Sequence, residues 1–110
     1  MILCTPVTTD AMIDPHWGRA DRIAVVKVAD GEIMSWQEVE VSWNRLHDEG
    51  TPGAHHARVV TFLREHQVEA VVAHHIGDGM VQLLATMGLS VHRVAAGDAR
   101  AAVLAASAEL

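Results

Sequence analysis

The chain has 110 residues, half of them hydrophobic and a fifth charged, which suits one buried core spanning residues 1–110 and is too little for two. Its formal charge of −6 is the wrong sign for a nucleic-acid backbone binder, and no apolar run approaches the ~20 residues of a membrane span. The single cysteine excludes an internal disulfide and any cysteine-only zinc or iron–sulfur site, and no leader segment precedes Ile2-Leu3-Cys4, so a cytoplasmic protein is expected.

Ile2 to Val7 reads as a first strand, with Pro6 near its end where a missing N–H is tolerated. Thr8 to Ala20 is polar and turn-rich, through Thr8-Thr9-Asp10 and then Asp14-Pro15-His16-Trp17-Gly18-Arg19. Asp21 to Val28 and Glu32 to Val41 are the second and third strands, joined by Asp30-Gly31, a strong hairpin signal. Ser42 to Gly53, with Trp43 and His47, is expected to be loop.

Ala54 to His66 has helical periodicity, with Val59, Val60, Phe62 and Leu63 on one face and Arg58, Thr61, Arg64 and Glu65 opposite. Thr51-Pro52 is a cap followed by a first-turn proline. Val68 to Ala73 is a fourth strand, and Asp78 to Met87 a second helix stopped by Gly88. Leu89 to Val94 is a fifth strand, after which Gly97-Asp98 opens an Ala-rich helix from Ala99 to about Ala108. The order β-β-β-α-β-α-β-α predicts an α/β protein with helices packed on a mixed five-stranded sheet. Strands 1, 4 and 5 should be parallel, joined by right-handed crossovers.

Eight histidines are the unusual count. Imidazole is the commonest metal-ligating side chain. The topology sends most of them to one edge. His16 follows strand 1, His55 and His56 open the helix that returns toward strand 4, and His74 and His75 close strand 4. His92, late in strand 5, is near that edge, whereas His66 belongs at the far end of its helix. Neighbours in an extended strand face opposite ways, so one of His74 and His75 is expected at a shared site. A helix amino terminus favours neutral imidazole and also binds anions, and Gly77-Asp78-Gly79 would let backbone amides approach one.

The bland readings are that Met12, Met34 and Met80 fill gaps, that Cys4 is a buried hydrophobe and that Trp17 and Trp43 cover the edge. Asp14, Asp21 and Asp78 are most simply turn, strand-start and cap residues. No Ser-His-Asp order, phosphate-binding loop or dinucleotide fingerprint is present.

Several blocks occur together in order: Pro15-His16-Trp17-Gly18-Arg19-Ala20 after a Pro-containing strand, Gly53-x-His55, Phe62-Leu63, Ala73-x-x-Ile76-Gly77 and Met87-Gly88-Leu89-Ser90-Val91. Together they resemble the dinitrogenase iron-molybdenum cofactor biosynthesis family over nearly the whole chain. That family consists of small proteins and domains of ribonuclease-H-like fold, some of which carry iron-molybdenum cofactor or its precursors. Two positions depart from the family pattern. Trp17 stands where Phe is usual, and His74-His75 stand where small or amide residues are expected, which would suit a different or additional metal. Nucleases of the implied fold need carboxylates on the first strand for two-metal chemistry, and Ile2 to Val7 has none.

The reading is therefore non-enzymatic binding or carriage of a metal or metal–sulfur cofactor such as iron-molybdenum cofactor. His16 is the preferred ligand, followed by His55 and His75, with His56 and His74 also candidates. Trp17, Gly18 and Arg19 share the motif of His16, while Gly77 and Gly79 supply backbone contacts. The expected partners are the cofactor itself and a protein that donates or accepts it. Two alternatives stay open: a small metal-dependent hydrolase or transferase with Asp14 or Asp78 as base, and a regulatory partner-binding domain with incidental histidines.

Overall fold

Local turn chemistry explains much of the chain path. Asp30 and Gly31 both have positive φ, 53° and 76°, as the two central residues of the tight hairpin turn require. They join β2 (Arg22–Ala29) to β3 (Glu32–Glu40). The Thr51 side chain accepts the Ala54 N–H at 3.1 Å and opens α2 (Pro52–Glu65). Gly88, at φ 80°, ends α3 (Asp78–Thr86), and Asp98 caps α4 (Ala99–Ser107) through the Ala101 N–H at 2.8 Å. The remaining elements are β1 (Ile2–Pro6), a 3-10 turn (Trp17–Arg19), α1 (Trp43–Leu46), β4 (Ala70–Ala73) and β5 (Ser90–Arg93). This computed structural model describes residues 1–46 and 48–110, Pro52 by its backbone alone, so His47 lies outside the described residues.

The sheet order is β3-β2-β1-β4-β5. β1 runs antiparallel to β2 and parallel to β4, β2 antiparallel to β3, and β4 parallel to β5. This is the mixed five-stranded α/β arrangement expected from the element order. One feature was not expected: Ser42 to Gly53 contains the single helical turn α1. Four residues are too few to show periodicity. The turn exists because Trp43 is buried and its N–H donates to the Ala20 carbonyl at 2.9 Å.

Both faces of the sheet are covered. On one, Cys4, Ile23, Val71 and Ala73 pack with Trp17, Trp43, Val59, Phe62, Leu63, Met80 and Leu84. On the other, Leu3, Ala24, Val26, Ala70 and Val72 meet Ala99, Val103 and Ala106 of α4. Helices α1, α2 and α3 thus share one side, and the carboxyl ends of β1 and β4 open onto their edge. The first of these strands feeds a folded excursion. Val7 bridges Ile13, and Met12 bridges Asp98, before the chain returns toward β4 at His16.

Candidate functional site

The His16 segment is placed by local and distant hydrogen bonds together. The Asp14 carboxylate accepts the His16 N–H at 3.0 Å, tightening the turn through Pro15. The His75 N–H then donates to the Pro15 carbonyl at 3.1 Å, and the Trp17 N–H to the His75 carbonyl at 3.2 Å. His16 and His75 therefore form an isolated parallel bridge beyond the ends of β1 and β4. Their rings stack 6.0 Å apart at an interplanar angle of 20°, and both residues are exposed.

The two histidines look into an open hollow of about 420 Å³, lined by His16, Trp17, Gly18, Arg19, His75, Ile76 and Gly77. Its far wall is the start of α3, where Gly77 is the N-cap and no side chain caps the first turn. The unpaired amides of that turn carry partial positive charge. Arg93 adds a cation there, donating to the Ile76 carbonyl at 3.3 Å and pairing with Asp78 at 3.5 Å. Arg19, on the near wall, pairs with Asp48 at 3.2 Å. Arg93 escaped the sequence reading because it lies on β5, remote in sequence, and only the parallel β4–β5 pairing brings it alongside.

The other predicted residues lie at the same edge but point in different ways. His55 is buried; its Nε2 is 3.0 Å from the Gly18 carbonyl and its Nδ1 is 3.1 Å from the Arg58 guanidinium. His56, one residue on, is exposed on α2. β4 ends at Ala73 and His74 stands in a bend, so the alternation expected of an extended pair is lost. The His74 and His75 rings lie 4.3 Å apart, and the His74 Nδ1 sits 2.7 Å from the Val94 carbonyl. Gly79 is exposed in the first turn of α3, outside the hollow's lining. His92 lines a separate hollow with Ala105, Ala106 and Glu109, and His66 packs on Phe62 at 4.5 Å. Among the described residues, no three His, Cys, Asp or Glu side chains are grouped to hold a metal ion.

Trp17 is not a surface cover. It is 2% exposed and meets Trp43 edge-on at 5.4 Å, so the residue after His16 anchors the motif in the core. Cys4 is fully buried, and burial drives its thiol far above the ordinary range, which keeps it protonated and off any metal. A larger concavity, about 590 Å³, shares this loop through Asp14 but is lined by Asp21, Arg22, Glu40 and Arg45, with no histidine among its described lining residues.

The sequence profile of the family described as dinitrogenase iron-molybdenum cofactor matches residues 1–109. The chain belongs to that family. Membership associates it with the binding or carriage of a cofactor. Three solved structures show the same fold at low sequence identity. The protein PH0822 superposes with a TM-score of 0.77 at 19% identity, over 99% of this chain and 90% of that one. A Thermotoga protein described as a candidate NifB protein of the DUF35 family gives 0.70 at 24% identity, over 97% and 87%. The apo form of the orange protein from Desulfovibrio gigas gives 0.76 at 20% identity, over 98% and 88%. Comparison with curated proteins gives no match. Among the described residues no helix is long and apolar enough to cross a membrane.

Proposed function

We propose that the chain binds and carries a preassembled, anionic metal–sulfur cofactor of the iron-molybdenum type in the hollow between His16, His75 and the start of α3. The observation that carries this reading is the pairing of two exposed imidazoles with an uncapped helix amino terminus across an open cavity. A bare transition ion held for structure or catalysis takes three or four protein ligands, and no such group is gathered among the described residues. A cluster brings its own sulfide ligands, so it needs only one or two donors from the protein. His16 and His75 supply those through nitrogen lone pairs, while the amides after Gly77 favour negative charge. An open hollow also suits cargo that must enter and leave whole, between a donor and an acceptor protein.

Asp14 and Asp78, the bases of the hydrolase alternative, are spent otherwise. One holds the His16 N–H and the other pairs with Arg93. Titration with isolated iron-molybdenum cofactor under anaerobic conditions, followed by absorption spectroscopy, tests the proposal. Saturable binding at one equivalent, lost in His16→Ala, is the expected result. Binding unchanged in both His16→Ala and His75→Ala would remove the hollow from consideration.

A further inference from the structure

We infer that His55 is the positioning residue of this site: it fixes the Gly18 carbonyl, and through it the approach of His16 to His75. The inference rests on the hollow being the binding site, but its physical core concerns the chain alone. A guanidinium can only donate. The Arg58 Nη1 lies 3.1 Å from His55 Nδ1, so Nδ1 is the acceptor and the ring proton resides on Nε2. That proton points at the Gly18 carbonyl, 3.0 Å away, and donates to it. Arg58 is held in its turn, since the same Nη1 reaches the Leu46 carbonyl at 3.3 Å. Arg58 thus selects the tautomer, and the tautomer selects the bond to the loop.

The surroundings leave His55 little freedom. It is 5% exposed, and the Trp43 ring lies edge-on to it at 6.1 Å. Trp43 in turn packs on Trp17, the residue between His16 and Gly18. The short turn Trp17–Arg19 is therefore gripped twice, by aromatic packing on its buried side and by a hydrogen bond at its middle. A loop carrying a ligand on an otherwise exposed segment gains a defined geometry in this way, as metal sites commonly obtain from the hydrogen bonds behind their ligands. A role as direct ligand would require His55 to give up both bonds. Its two ring nitrogens are oriented toward Gly18 and Arg58 instead.

The test uses the 15N-labelled chain without any ligand, then with Cu2+ as probe. Long-range proton–nitrogen spectra should show His55 in the Nε2–H form. Amide exchange of Trp17 and His75 is then compared with that of Val71 in the sheet. His55→Gln keeps a donor for Gly18 and an acceptor for Arg58, so exchange should stay within about threefold of the parent. His55→Asn reaches Arg58 only, and His55→Leu reaches neither. Both should speed Trp17 and His75 exchange by about tenfold relative to Val71, the loss expected for one buried bond. Cu2+ affinity should fall in His55→Asn and persist in His55→Gln. An Nδ1–H tautomer, equal acceleration at Val71, or Gln no better than Asn would overturn the inference, and the Gln–Asn pair decides it even where His55→Leu does not fold. If the exchange pattern appears but His16→Ala leaves Cu2+ affinity unchanged, the binding site is elsewhere and the positioning of the loop still stands.

Discussion

His16 and His75, 59 positions apart in the numbering, are bridged backbone to backbone with their rings stacked 6.0 Å apart. The bridge continues the β1–β4 pairing after both strands have ended, so a sheet interaction fixes the spacing of two side chains that are themselves exposed. The functional predictions follow from that separation of roles.

Removing one imidazole should weaken binding without disturbing the fold. His16→Ala and His75→Ala are each expected to lower affinity for isolated cofactor by at least about tenfold, while His66→Ala, at the far end of α2, leaves it unchanged. Melting temperatures of the His16 and His75 variants should stay near the parent, because exposed side chains away from caps and cores contribute little. Equal affinities for the His16 and His66 variants would dismiss His16 as a ligand.

Trp17 should matter for stability through its volume and not through its N–H. The indole nitrogen is buried with no hydrogen-bond partner among the described residues. Trp17→Phe deletes that unpaired donor, which offsets part of the cavity cost, so a loss of about 1–2 kcal/mol is expected. Trp17→Ala should cost about 3–5 kcal/mol. Denaturant melts measure both, and a Phe variant as unstable as the Ala variant would contradict the packing described.

The Cys4 thiol predicts a response to alkali. Burial raises its folded pKa, so the native chain retains the proton after the unfolded chain has lost it near pH ~8.5. The buried thiol's contribution is complete below that pH and declines above it, by at most about 1.4 kcal/mol per unit. Cys4→Ala should show a shallower fall between pH 8.5 and 10 than the parent. In native conditions the thiol should also resist alkylation that proceeds at once in denaturant. Identical pH slopes for parent and variant would show the thiol to be uncoupled from folding.

Two caps should each be worth about 1 kcal/mol. Thr51→Ala removes the acceptor for the Ala54 N–H, and Asp98→Ala that for the Ala101 N–H. Because α2 delivers His55 to Gly18, Thr51→Ala should in addition loosen the His16 loop, seen as faster Trp17 amide exchange, whereas Asp98→Ala on α4 should not.

Much of this architecture was legible from short range alone. Asp30-Gly31, Thr51-Pro52, Gly88 and Asp98 each act within three or four residues, so they announce a turn, two helix starts and a helix end wherever the chain later packs. The alternation and helical spacing of apolar residues then fix the order of elements, and the right-handed crossover rule places His16, His55, His56, His74 and His75 at one edge. Which way each ring faces lay beyond that logic. His55 turns inward because Arg58 and Gly18 meet it there, and His74 leans to Val94 because the strand bends at its own position. Trp43 makes a helical turn because the core receives its ring, and Arg93 reaches the Ile76 carbonyl because β5 lies beside β4. Those outcomes depend on contacts between residues far apart in sequence, where side-chain direction is decided by the partner a group can reach after the sheet has formed.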